Sequence, residues 1–182
     1  LCANAAALLS DLIEKYFNPH YITVVTGDAE MSSSLVRQPF DYIFFTGSSQ
    51  TGKKVLEGAA TNLTPCSLEL GGKNICIVDS DIDMHKTARR IVWGKFFNAG
   101  QTCAAPDYIM VSHNVKNQLI EDLKKVLESF YGDRACDYAR IINKRHFDRL
   151  MVLLEGSTVI YGGRNNRDNL WLEPTLIDNV SF

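Results

Sequence analysis

The 182-residue chain has no C-x-x-C pair, no H-x-x-x-H pair and no apolar run approaching the ~20 residues that span a bilayer as a helix. Its five cysteines, Cys2, Cys66, Cys76, Cys103 and Cys136, show no metal-ligand spacing. Its four histidines, His20, His85, His113 and His146, fall in loop or exposed helical contexts, so no metal site is expected. An odd number of thiols without a paired pattern argues against a disulfide scaffold and for a reducing compartment, which makes the cytoplasm the expected location. The formal charge of -2 comes from 19 basic and 21 acidic residues mixed along the chain, which leaves no basic stripe for nucleic acid and no polybasic membrane anchor. Leu1 to Ser10 lacks the positive n-region of a signal peptide. The chain also lacks an initiator Met and opens inside a helical pattern, which reads as an excerpt from a longer protein. Small molecules and other proteins remain as the expected partners.

What is present is ordinary for a globular protein, 46% hydrophobic and 22% charged, enough for one domain or two small lobes. Leu8, Leu9, Leu12, Ile13, Tyr16 and Phe17 recur at helical spacing, predicting a helix over about residues 2 to 17 that Asn18-Pro19 stops. Ile22 to Val25 predicts a short strand ending at Gly27, and Met31 to Arg37 a short helix. Tyr42 to Thr46 is continuously apolar, as a strand covered on both faces would be. A helix follows from Ser49 to Ala60, then strands at Cys66 to Leu70 and Asn74 to Val78, separated by Gly71-Gly72 as the natural joint. Further helices are expected at Met84 to Asn98, Val115 to Phe130 and Lys144 to Leu154. Further strands are expected at Tyr108 to Ser112, Thr158 to Tyr161 and Leu172 to Ile177. Alternation of helix and strand is the signature of an α/β fold with parallel pairing.

Three places carry chemistry. Gly47-x-x-x-x-Gly52-Lys53 nearly matches a triphosphate loop, and Ile75-Cys-Ile-Val-Asp79 resembles a magnesium-binding strand, but Lys54 stands where Ser or Thr must hold the metal. The same turn reads either as a plain helix start capped by Ser48 or Ser49, or as a metal-independent anion cradle at the end of a parallel strand. Cys103, alone among the cysteines, is flanked by small or polar residues, Gly100, Gln101, Thr102, Ala104 and Ala105, that leave its sulfur approachable. It reads equally as a loop cysteine or a nucleophile, and a Cys–His hydrolase with His113 is a further possibility on spacing alone. Glu69, between Leu68 and Leu70, reads as an outward-facing strand residue or as a desolvated carboxylate suited to take a proton from water.

Taken together, Phe45-Thr-Gly-Ser-x-x-x-Gly52, Leu68-Glu-Leu-Gly-Gly-Lys73 and Phe97-Asn-x-Gly-Gln-Thr-Cys103 resemble the aldehyde dehydrogenase superfamily in order and spacing. Thr64-Pro-Cys-Ser-Leu-Glu69, Trp93-Gly-Lys95, Ala105-Pro-Asp-Tyr108 and Arg140-Ile-Ile-Asn143 resemble its class 3 branch of fatty- and aromatic-aldehyde enzymes. The resemblance implies an oxidoreductase using NAD or NADP, with Cys103 as nucleophile through a thiohemiacetal and a thioester intermediate, and Glu69 as the base for hydrolysis. It assigns Gly47, Ser48 and Gly52 to the cofactor-phosphate turn and Leu70 and Gly71 to the nicotinamide end, with no metal. The implied architecture is the C-terminal part of a Rossmann-like NAD(P)-binding lobe over residues 1–70, joined to the N-terminal part of an α/β catalytic lobe over 71–182. The parent is implied to be a homodimer acting on a small aldehyde. The family's upstream Lys-Pro-Ser-Glu segment and oxyanion-hole asparagine, and its downstream Glu-Ile-Phe-Gly-Pro segment, fall outside the chain, so these 182 residues alone are expected to be inactive; the alternatives are a non-catalytic fragment or interaction module and, after these, a P-loop-type nucleotide triphosphatase.

Overall fold

The structure, a computed structural model, describes residues 2–132 and 137–180. Cys136, read from the sequence as a loop cysteine, lies outside them. The chain divides into two compact units, Leu1–Gly71 and Gly72–Phe182, with the break one residue after the expected boundary.

In the first unit the apolar spacing produces helix α1, Ala3–Tyr16, which ends where Phe17 turns extended and its N–H closes on the Ile13 carbonyl at 2.9 Å. None of its residues is buried. Asp28 starts α2, Ala29–Leu35, by accepting the N–H groups of Glu30 and Met31 at 3.0 and 3.1 Å, an N-cap that satisfies otherwise orphaned donors. The strand expected over Ile22 to Val25 does not form. A strand exists only with a partner, and among the described residues the sheet here holds just β1, Ile43–Gly47, and β2, Cys66–Leu70.

These two run parallel, with Ile43 opposite Cys66 and Gly47 opposite Leu70. The crossover between them is α3, Ser49–Ala59, whose Gly52, Val55, Gly58 and Ala59 are buried at helical spacing. Within the unit α3 covers only one face of the pair, so β1 alternates in exposure and Phe44 is 67% exposed. The expectation of a strand covered on both faces is therefore not met.

The second unit repeats the logic. Strand β3, Asn74–Val78, pairs in parallel with β4, Pro106–Val111, through α4, Met84–Phe96. Helix α5, Lys116–Tyr131, packs Leu119, Leu123, Val126 and Leu127 against Ala88, Val92 and Phe96 of α4. After α6, Lys144–Leu154, strand β5, Thr158–Tyr161, pairs antiparallel with a later strand, and a hairpin, β6, Asn165–Asn166, with β7, Trp171–Leu172, lies between them. The single strand expected over Leu172 to Ile177 is in fact β7 followed by β8, Leu176–Asp178, the partner of β5. Pro174 lies between them and has no N–H to give a ladder, so the chain changes partner there.

Leu127 is 0% exposed at the centre of this core. Leu127→Ala should lower the unit's stability by about 2–5 kcal/mol through lost transfer energy and a residual cavity. Urea unfolding followed by circular dichroism should show a lower midpoint at unchanged slope, and an unchanged midpoint would remove Leu127 from the core described.

Candidate active site

The expected site residues fall into two groups, one in each unit. Gly47, Ser48, Gly52, Glu69, Leu70 and Gly71 lie in the first unit, and Cys103 lies in the second.

In the first group, parallel register brings the turn after β1 beside the end of β2, because Thr46 lies opposite Glu69 and Gly47 opposite Leu70. Ser48 is the N-cap of α3: its Oγ accepts the Thr51 N–H at 3.2 Å and shares a hydrogen bond with Thr51 Oγ1 at 2.9 Å. The next two N–H groups, of Ser49 and Gln50, meet no acceptor among the described residues, as a helix start leaves them. A Cβ on Gly47 would stand 2.5 Å from the Phe45 ring, and one on Gly52 would stand 3.0 Å from Leu70 Cδ2, so both glycines keep the backbone close to its neighbours. Free N–H groups at the positive end of a helix, with small residues around them, suit a phosphate. Lys53 and Lys54 are both exposed, and neither supplies the hydroxyl that a triphosphate loop needs for magnesium.

Leu68 and Leu70 both reach toward Gly52 on α3, and strand alternation therefore turns Glu69 the other way. Glu69 is exposed within this unit. The desolvation expected of a catalytic carboxylate is not supplied by the residues of this unit, which leaves the outward-facing reading as the one its own neighbours produce.

The second group is a loop held from three sides. After α4 the backbone enters the left-handed region at Asn98 (φ 53°), Ala99 (φ 55°) and Gly100 (φ 74°), an arrangement costly for the two residues that carry a Cβ. The Gln101 carboxamide donates to the carbonyls of Asn98 at 3.1 Å and Arg140 at 3.0 Å, and its oxygen accepts the Ile142 N–H at 2.9 Å. Asn74, at the start of β3, donates from Nδ2 to the carbonyls of Cys103 at 2.6 Å and Ala105 at 3.1 Å. Cys103 itself is exposed, and its N–H meets no acceptor among the described residues. Beside Gly100 lies the Lys95 ammonium. Burial pulls its pKa below the usual lysine range, Asp107 at 3.9 Å pulls it back up, and Lys73, itself paired to Asp107, pushes it down again.

The expected residue Cys103 is thus where the sequence placed it, on an approachable loop. Asn74 and Gln101 emerge only from the structure: one was read as a strand start, the other as a polar neighbour. Their hydrogen bonds to Cys103, Ala105, Arg140 and Ile142 span 29 to 41 residues, and no local pattern in the sequence marks such pairs. Among the described residues no three His, Cys, Asp or Glu side chains are grouped to hold a metal ion, and no helix is long and apolar enough to cross a membrane.

Comparison with known proteins gives the same direction throughout. The model of the aldehyde dehydrogenase family matches residues 2–181. The chain is 45% identical over 183 residues to the dimeric NADP-preferring aldehyde dehydrogenase of Canis lupus familiaris, covering 99% of this chain and 40% of that protein. It is 44% identical over 186 residues to the 4,4'-diaponeurosporen-aldehyde dehydrogenase of Staphylococcus aureus, covering 100% of this chain and 40% of that one. It is also 42% identical to aldehyde dehydrogenase family 3 member A2 of Rattus norvegicus, over 99% of this chain and 38% of that protein. Among solved structures, the substrate-bound state of Staphylococcus aureus AldH superposes with a TM-score of 0.89 at 42% identity, over 98% of this chain and 40% of that one. The chain thus spans about two fifths of the length of these relatives. With a family model matched from end to end and the fold shared at this identity, the chain belongs to the aldehyde dehydrogenase family.

Proposed function

We propose that these residues serve the oxidation of an aldehyde to a carboxylic acid with NAD or NADP, in a polypeptide of the relatives' full length. The observation that carries this reading is the Cys103 loop: an exposed thiol whose own N–H is unengaged among the described residues, on a backbone pinned by two carboxamides. The Cys103 thiolate adds to the aldehyde carbon, forming a C–S bond and a thiohemiacetal whose oxyanion the Cys103 N–H is suited to stabilise. A nicotinamide cofactor, when bound, would supply the acceptor for the hydride that leaves that carbon. What remains on sulfur is a thioester. Glu69 takes a proton from water as the water adds to the thioester, and the C–S bond breaks to return the thiol and release the acid. Ser48, Gly47, Gly52 and the first N–H groups of α3 would hold the cofactor's pyrophosphate, and Leu70 and Gly71, at the same end of the β1–β2 pair, would border its nicotinamide end.

In this reading residues 1–70 belong to the cofactor lobe and 71–182 to the catalytic lobe. The cytoplasm and a homodimer are part of the proposal, the second because the canine relative is named as dimeric. The test is direct. A polypeptide of the relatives' length carrying these residues, mixed with a medium-chain aldehyde and NAD or NADP, should yield the carboxylic acid and reduced cofactor in equal amounts. Absence of both refutes the reading. The 182-residue chain alone should give no more reduced-cofactor absorbance than its own Cys103→Ala variant, because it covers only 40% of the canine relative's length. Turnover by the short chain that this substitution abolishes would overturn that part.

A further inference from the structure

We propose that Asn74 is a positioning residue for Cys103, setting the direction of the peptide group that follows the thiol. This inference rests on the reading of Cys103 as the nucleophile.

The start of the β3–β4 ladder is irregular: Asn74 lies opposite Pro106 and Ile75 opposite Tyr108, so Asp107 is an extra residue on β4. Pro106 has no N–H, and a bulge disrupts the ladder locally. The carbonyls of Cys103 and Ala105, just before this point, meet the Asn74 side chain instead, at 2.6 and 3.1 Å from Nδ2. A carboxamide NH2 carries two hydrogens, which matches the two acceptors.

The Cys103 contact has a directional consequence. In a trans peptide the C=O and the next N–H point opposite ways, and no peptide in the described chain is cis. Fixing the Cys103 oxygen on the Asn74 side therefore fixes the Ala104 N–H on the other. That N–H, like the Cys103 N–H, has no acceptor among the described residues. Asn74 thus holds the free Ala104 N–H, the donor that follows the thiol in the chain, in one orientation, while Gln101 anchors the chain two residues upstream. Free backbone donors near a sulfur favour its thiolate form, and orientation decides whether they reach it.

Replacing Asn74 by aspartate keeps the shape but turns the donor into an acceptor carrying negative charge; replacing it by alanine removes the tie. The measurement is the rate of iodoacetamide alkylation of Cys103 in the 182-residue chain, read peptide by peptide by mass spectrometry from pH 6 to 10. Cys66 on β2 and the half-buried Cys76 on β3, two residues from Asn74, report in the same spectra whether either unit has loosened. Among the described residues, Lys95 on α4 lies beside Gly100, with Asp107 on β4 and Lys73 before β3 close to it, and these charged groups are common to all variants.

The expected result is a Cys103 rate about fivefold lower at neutral pH in Asn74→Ala, with its pH midpoint displaced upward and Cys66 and Cys76 unchanged, as loss of one well-placed hydrogen bond implies. Asn74→Asp should displace the midpoint at least as far. A Cys103 rate that is unchanged or raised overturns the proposal, and so does a parallel change at Cys76, which would make Asn74 a residue of strand stability only. Alkylation requires neither aldehyde nor cofactor, so its outcome is independent of whether Cys103→Ala abolishes turnover. Failure here leaves the nucleophile reading standing, and failure there leaves the alkylation result intact.

Discussion

In a polypeptide of the relatives' full length carrying these residues, Cys103→Ala should lower kcat by about 10³-fold or more, which at about 1.4 kcal/mol per decade is roughly 4 kcal/mol of barrier. The loss is this large because the covalent route disappears with the sulfur: no side chain next to Cys103, among Thr102, Ala104 and Ala105, offers a comparable nucleophile at neutral pH. Cofactor affinity should stay within a factor of about two, since the residues assigned to the cofactor lie on α3 and at the ends of β1 and β2, not on the Cys103 loop, and sites without shared partners behave additively. Steady-state rates with equilibrium cofactor binding give both numbers. A variant keeping a tenth of the activity would assign the chemistry elsewhere.

The second large effect concerns Glu69 and is separable in time. On the proposed route hydride would leave the thiohemiacetal before water attacks the thioester, so a variant lacking the base should complete the first half-reaction and stall. Glu69→Gln should therefore retain a stoichiometric burst of reduced cofactor while steady-state turnover falls by about 10²–10⁴-fold, the usual worth of a general base. Rapid mixing resolves the two phases. Loss of the burst along with the steady state would mean that Glu69 acts at or before hydride transfer, and the assignment would fail.

Local features of this fold were readable from residues that act locally. The spacing of Leu119, Leu123, Val126 and Leu127 gave α5, a serine cap at Ser48 or Ser49 gave the start of α3, with Ser48 the one that caps, and β3 and β5 fall on the strand limits expected. What was misread depends on partners distant in the chain. Ile22 to Val25 has strand-like residues but pairs with no strand among the described residues, and Phe44 is apolar yet uncovered within its unit. Leu172 to Ile177 is apolar enough for one strand, but Pro174 splits it between two partners. The candidate site follows the same division. Cys103, Glu69 and the Gly47–Gly52 turn were marked by motif and resemblance, whereas Asn74 and Gln101 act through carbonyls at residues 103, 105 and 140, which sequence spacing does not reveal.

Both parallel pairs are closed by a crossover contained within a single unit: residue 43 must meet residue 66, and residue 74 must meet residue 106. Loop closure of this length has to precede the first ladder hydrogen bond, so its entropic cost is met before the pairing repays it. During synthesis the two events are ordered. The first ladder is complete in sequence once Leu70 has left the ribosome, and the second only once Val111 has, with the Cys103 loop made between them. The loop therefore emerges before β4 can fix Asn74 against its carbonyls, and Cys103 acquires its surroundings as a late product of the second closure.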